Sequence, residues 1–174
     1  MTGDRQVRAS RGGTVRNAAL LGLRLTLGGY LAAHGAQKLF GAFGGRGLEA
    51  SSAGFERVGL SPGRPMAVLA GTSELAGGVL TAAGLADPVG PLTLASTMAV
   101  ASTTHRGKGP FAARGGWELP LTNTAAAAVL AVTGPGRYSL GGRVPRKRAW
   151  RSRSRLDRAA HPEIPSGSDP DAAG

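Results

Sequence analysis

Long apolar runs alternate with short polar segments through the middle of the chain. Four such runs occupy residues 15–41, 65–85, 89–104 and 117–133. A helix of ~20 predominantly apolar residues, rising about 1.5 Å per residue, covers the hydrocarbon core of a bilayer. The pattern therefore predicts an all-α fold, in the form of an integral membrane four-helix bundle.

Proline and glycine mark the ends of these runs. Ser61-Pro62, followed by Arg64-Pro65, is typical of a helix start, because proline is tolerated in the first turn. Asp87-Pro88 indicates a short turn, and Gly134-Pro135-Gly136 indicates a helix end. We therefore expect the second to fourth runs to be separate helices.

The two ends of the chain differ from its middle. Residues 1–14 and 141–174 are polar and basic, and both are predicted to be disordered, which leaves a four-span membrane domain over residues 15–140. The mean hydropathy of −0.05 averages these tails with the apolar middle. A signal peptide is the competing interpretation of the first run. Because Arg24 interrupts that run and further spans follow, we expect the first helix to be retained.

The net charge of +11 is in the range of proteins that bind nucleic acid. No recognition motif accompanies the charge, so nucleic-acid binding is not expected. With four spans, both termini share one side, and that side carries the arginine-rich segment 143–158. The positive-inside rule predicts that both termini are cytoplasmic, with the basic tail attracting anionic lipid. The chain has no cysteine, which excludes disulfides and thiolate metal ligands.

In this topology polar residues from three helices meet at the outer rim. His34 and Lys38 share a helix face near the end of the first span, and His105 ends the third. Trp117 and Glu118 open the fourth span. Glu74 lies about 14 Å below the same rim, near the midplane. An ionisable residue at that depth is costly, which makes it a candidate for function.

Two interpretations remain open for the buried charges. Arg24 and Glu74 form a structural ion pair between the first two helices, or Arg24 extends to the cytoplasmic interface. Alternatively, Glu74 accepts protons or faces a ligand.

The histidines are similarly ambiguous. His34 and His105 either cap helix ends or relay protons to a quinone at the membrane surface. Their spacing is not that of a metal site, so no metal is expected.

The motifs resemble those of the DoxX family, in order and in spacing, over residues 15–140. The matching segments are His34-Gly-Ala-Gln-Lys-Leu-Phe-Gly41, Gly59-Leu60-Ser61-Pro62, Glu74-Leu-Ala-Gly-Gly78, Met98 with His105, Gly115-Gly116-Trp117-Glu118 and Thr133-Gly-Pro-Gly-Arg-Tyr-Ser139. The chain departs from many relatives at Gly141, where they carry aspartate, and in its long arginine-rich tail.

This resemblance implies a small membrane protein related to the small subunit of thiosulfate:quinone oxidoreductase. The expected function is that of an inner-membrane subunit that supports quinone-linked electron transfer, in thiosulfate oxidation or oxidative-stress handling, with protein partners in a membrane redox complex. His34, Glu74 and His105 are expected to handle protons. Residues expected to contact the substrate or quinone are Gln37, Lys38, Trp117 and Glu118. The alternatives are a non-enzymatic scaffold that docks soluble redox enzymes and a small-solute permease.

Overall fold

The computed structural model describes the backbone of residues 2–141 and the side chains of residues 12–141. This part of the chain is helical and contains no strand, which confirms the all-α prediction. Its helices are α1 (Thr2–Phe40), α2 (Gly47–Arg57), α3 (Gly63–Ala83), α4 (Val89–Thr104) and α5 (Glu118–Thr133). Short 3-10 turns over Ala42–Gly44, Arg106–Lys108 and Ala112–Arg114 lie in the connections.

The first helix is longer than the hydrophobic pattern predicts. It begins at Thr2 and so includes residues 2–14, for which the sequence pattern predicts disorder. No proline interrupts the first 40 residues, and a glycine costs a helix only about 1 kcal/mol relative to alanine. The helix ends before Gly41, whose φ of 71° is the left-handed conformation typical of a helix C-terminus. Apart from Gly141, the predicted disordered tail 141–174 lies outside the described residues.

The helices differ in their ability to cross a membrane alone. Within residues 2–141, one helix, α3, is long and apolar enough to do so by length and composition. α4 and α5 have 16 residues each, which span only about 24 Å. The apolar part of α1 is interrupted by charged residues, among them Arg24 and Lys38. These two features explain why the four apolar runs of the sequence correspond to only one helix of this kind.

Small residues let α1 and α3 pack closely side by side. A Cβ added to Gly28 of α1 would lie 2.5 Å from the carbonyl oxygen of Gly78 in α3. A Cβ added to Gly78 would lie 2.6 Å from the backbone nitrogen of Ala32. Such close approach of two backbones is possible only where side chains are absent or small. The contact fixes the register of α1 against α3.

The remaining helices complete the packing around a core of aliphatic side chains. α3 contacts α4, α4 contacts α5, and α5 contacts α1. The core cluster of buried residues consists of Leu20, Leu27, Leu31, Leu94, Met98, Ala127 and Leu130. α2 packs on α1 and α3 but buries none of its own residues. It therefore lies at the edge of the structure as a cover for the long helices.

The connection between α4 and α5 is held in place by its own backbone. The Trp117 N–H donates to the Gly109 carbonyl at 3.2 Å, and the Glu118 N–H donates to the Pro110 carbonyl at 3.0 Å. Gly116 is buried against the same two carbonyls, where a side chain would clash. The loop is thus folded back on the start of α5.

Candidate functional site

A cavity of about 1180 Å³ is formed by residues from all five helices. Most of its wall is apolar. The ionisable residues that line it are Tyr30, His34, Lys38, Arg46, Arg57, Glu74 and His105. A large apolar cavity with a few convergent polar groups is the usual form of a site for a small molecule.

The strongest polar interaction in the cavity wall is an ion pair between α1 and α3. The Lys38 ammonium donates to a carboxylate oxygen of Glu74. The Glu74 side chain is 5% exposed and that of Lys38 is 27% exposed. The α1–α3 register produces the pair, because Gly35 of α1 packs against Gly71 and Leu75 of α3 and so brings both charges to one level. The negative charge of the buried Glu74 carboxylate is therefore neutralised by the Lys38 ammonium at the cavity surface.

This pairing corrects the prediction of an ion pair between Arg24 and Glu74. Arg24 lies 14 residues before Lys38 in the same helix, which is about 21 Å along its axis. It is 2% exposed, and its Nη2 donates to the Tyr138 carbonyl at 2.8 Å. Among the described residues, its Nε and Nη1 have no hydrogen-bond partner. Arg24 therefore connects α1 to the segment after α5 and takes no part in the cavity.

His34 lies on the cavity wall with an aromatic neighbour one turn earlier. The rings of Tyr30 and His34 are 5.8 Å apart in an edge-to-face arrangement. The side-chain amide of Asn123 in α5 lies close to the Tyr30 side chain. Asn123 in turn donates to the sulfur of Met98 in α4 at 3.8 Å. These contacts connect α1, α5 and α4 along one wall of the cavity.

His105 has the helix-capping contact that the sequence left open as one alternative. Its Nδ1 lies 2.7 Å from the Ala101 carbonyl oxygen and 3.2 Å from the Thr104 hydroxyl. A carbonyl oxygen can only accept, so Nδ1 carries the hydrogen, and Nε2 of the neutral ring is a proton acceptor. His105 also lines the cavity, so capping and proton exchange are compatible.

Three residues predicted to contact substrate have other places in the structure. Gln37, Trp117 and Glu118 are not among the residues that form the cavity wall. Gln37 donates to the Phe43 carbonyl at 3.4 Å, and a carboxylate oxygen of Glu118 accepts from the Ala112 N–H at 2.6 Å. The polar side-chain groups of Gln37 and Glu118 are used by the adjacent loops, because each residue lies near a helix end next to a glycine-rich turn. They position the loops around the cavity.

Other residues of the cavity wall were missed by the sequence reasoning. Tyr30 lies in α1 and Asn123 in α5, and Arg46 and Arg57 lie before and at the end of α2. Tyr30 precedes His34 by four residues, a spacing that places both on one helix face. That spacing was the available signal for Tyr30, whereas no local pattern marks Asn123.

The DoxX family model matches residues 19–107, slightly more than half of the chain. The chain belongs to the DoxX family. The matched part contains His34, Lys38, Glu74 and His105. Membership of DoxX supports a membrane location. No curated protein and no solved structure matches the chain.

Proposed function

We propose that this DoxX-family protein binds the ring of a membrane quinone in its cavity and supports quinone-linked electron transfer together with partner proteins. The observation that carries the proposal is the pair of Lys38 with the buried Glu74 in the wall of a large, mainly apolar cavity. In this proposal α1, α3, α4 and α5 are four membrane spans, and both termini are cytoplasmic. The two shorter helices are accommodated by local thinning of the bilayer.

The residues of the cavity suit a quinone in size and in hydrogen-bonding chemistry. Pockets for drug-sized ligands measure about 300–1,000 Å³, and this cavity, at about 1180 Å³, is larger than that range and so has room for such a ligand. Lys38 and Asn123 supply N–H donors, and Tyr30 supplies a hydroxyl donor, all suited to carbonyl oxygens. When bound, a quinone accepts two electrons and two protons. The apolar wall suits the rest of such a ligand and excludes water from it.

The proposed roles of the polar residues follow from their surroundings. Glu74 holds the Lys38 ammonium at the cavity surface, where it can donate a hydrogen bond to a ligand oxygen. His34 is exposed, and His105 presents a free acceptor nitrogen once Nδ1 is used. Both histidines can therefore exchange protons between the cavity and the aqueous side. The redox partners supply the electrons, since this chain has no cysteine for thiol chemistry.

The proposal is tested by quinone binding and reduction. Native-membrane complexes are purified through a tag on this chain, and quinone reduction is measured with thiosulfate as the donor. Quinone binding to the isolated chain is measured in parallel. We expect Glu74→Gln to lose both quinone binding and quinone reduction. Glu49 is an exposed carboxylate of α2 outside the cavity, so the matched Glu49→Gln variant should retain both.

Other outcomes would contradict the proposal. A wild-type chain that binds no quinone would overturn it. If Glu74→Gln kept full quinone reduction while soluble partners still co-purified, the protein would be better described as a scaffold.

A further inference from the structure

The α3–α4 contact is tight near the connection between the two helices. A Cβ added to Gly77 of α3 would lie 3.2 Å from Leu94 of α4, and one added to Gly90 of α4 would lie 2.9 Å from the Thr81 nitrogen. Side chains along the whole of α4, from Val89 to Thr104, and in the first half of α3 line the cavity. The two helices therefore border the cavity while they touch closely at Gly77 and Gly90.

This side of the cavity is open to the surroundings. Among the residues of the cavity wall, Leu69 of α3 is 62% exposed, and Leu92 and Val100 of α4 are 51% and 54% exposed. Ser96 lies four residues after Leu92 and four before Val100, and it is also exposed and lines the cavity. A side chain that both lines a cavity and is exposed lies at an opening. We call the opening formed by Leu69, Leu92, Ser96 and Val100 the α3–α4 portal.

Apart from the Ser96 hydroxyl the portal is apolar, unlike the part of the cavity around the ion pair. The hydroxyls of Thr93 and Thr97 donate to the carbonyls of Val89 and Thr93, each at 2.9 Å. Their polar atoms are thus used within α4, and their methyl groups remain for packing. The charged residues of the cavity wall belong to α1, α2, α3 and the connection before α2. None of them belongs to the α4 part of the portal, which consists of Leu92, Ser96 and Val100. Polar and apolar parts of a ligand would therefore be held at different places.

We propose that the α3–α4 portal holds the apolar chain of a membrane quinone while the quinone ring lies at Lys38–Glu74. This inference rests on the proposed function and adds a second subsite and a route to it. The chain leaves the cavity between α3 and α4, toward the lipid side of the proposed bundle. The separation of charged and apolar surfaces within one continuous cavity matches the division of such a molecule into a polar ring and an apolar chain.

A labelling experiment tests the portal directly, because the chain has no cysteine of its own. Single Ser96→Cys and Ala99→Cys variants of the full-length protein are treated in detergent with a membrane-permeant maleimide. Ala99 is exposed on the same helix but does not line the cavity, which makes it the matched control. With decyl-substituted quinone at ten times its Kd, about a tenth of the sites stay free, so labelling of Ser96→Cys slows about tenfold. Labelling of Ala99→Cys is unchanged, and the same quinone without its chain protects neither variant.

A bulky side chain at the same positions gives a second readout. We expect Ser96→Trp to raise the Kd of the decyl-substituted quinone about tenfold, the loss of a few methylene contacts, and to leave the Kd of the chainless quinone unchanged. Ala99→Trp changes neither value.

The outcomes separate the portal from the function on which it rests. Equal protection of Ser96→Cys by both quinones, or by a decyl alcohol alone, overturns the portal. In a further outcome both quinones bind the wild type and bind more weakly to Glu74→Gln, but Ser96→Trp does not change either Kd and neither quinone protects Ser96→Cys from labelling. In that case the quinone site stands and the portal falls. If neither quinone binds the wild type, both proposals fall.

Discussion

At the scale of single residues, the Lys38–Glu74 pair is asymmetric in its burial. The Glu74 side chain is almost completely buried, whereas about a quarter of Lys38 is exposed. Removal of one partner of a buried ion pair leaves the other charge without compensation, at a cost of about 3–5 kcal/mol. The cost depends on which charge remains, because an exposed ammonium can be hydrated and a buried carboxylate cannot.

This asymmetry predicts different stabilities for the two single variants. Lys38→Met leaves the buried carboxylate alone and should cost about 3 kcal/mol or more. Glu74→Gln leaves a partly hydrated ammonium and should cost only about 1–3 kcal/mol. The Lys38→Met/Glu74→Gln double variant removes both charges and should recover most of the loss, measured by thermal unfolding in detergent. Additive losses in the double variant would contradict a direct pair.

The double variant also separates structure from function. We expect it to regain stability without regaining quinone binding, since the donor at the cavity surface is still missing. Recovery of both properties together would assign the pair to structure alone.

The sequence predicted which residues are polar in apolar surroundings, but not all of their partners. The i, i+4 spacing correctly placed His34 and Lys38 on one face, and both line the cavity with Glu74 and His105. The partner of Glu74 depends on the register of α1 against α3, which small-residue contacts determine and which no local pattern reveals. For this reason the sequence pattern predicts Glu74 as the partner of Arg24, whereas in the structure Arg24 donates to the Tyr138 carbonyl.

At the scale of helices, the cavity depends on the close contact of α1 with α3. Gly28 and Gly29 are adjacent in α1 and have opposite surroundings. A Cβ at Gly28 would meet the Gly78 carbonyl at 2.5 Å, whereas a Cβ at Gly29 has nothing within 4 Å. The two positions thus separate the effect of helix packing from the effect of helix propensity.

Alanine substitution at these glycines should therefore have opposite effects. Gly28→Ala forces the backbones apart and should lower the free energy of unfolding by about 1–3 kcal/mol. Gly29→Ala should be neutral or stabilise the helix by up to about 1 kcal/mol, because alanine is the better helix former. Thermal unfolding in detergent measures both. Equal melting temperatures for the two variants would show that the contact does not limit stability.

Helix ends were more predictable than the arrangement of the helices. The prolines and glycines near Pro62, Pro88 and Gly134 mark boundaries that agree with α3, α4 and α5 within a few residues. α3 and α4 touch closely at Gly77 and Gly90, while other residues of the same two helices line the cavity. Which residues of a helix pair touch and which border open space is a property of tertiary packing, so hydrophobic periodicity could not predict it.

At the scale of the whole molecule, the proposed four spans place each connection on a defined side. In this proposal the connection that contains α2 and the loop over residues 106–116 share one side of the membrane, near the ionisable residues of the cavity. The proposal puts both termini on the other side, where the basic sequence of the tail is expected to attract anionic lipid. Whether the number of membrane spans is odd or even decides on which side each terminus lies. Among the described helices, only α3 is long and apolar enough to cross a membrane by length and composition.

Cysteine accessibility in intact cells tests the arrangement without removal of any native thiol, because the chain has none. Single cysteines are placed at Arg57 and Ala113 on the proposed outer side, and at Ser10 and Ala173 near the termini. A membrane-impermeant maleimide should label Arg57→Cys and Ala113→Cys in intact cells, and should label Ser10→Cys and Ala173→Cys only after lysis. Labelling of Ala113→Cys together with Ala173→Cys before lysis would mean that α5 does not cross the membrane.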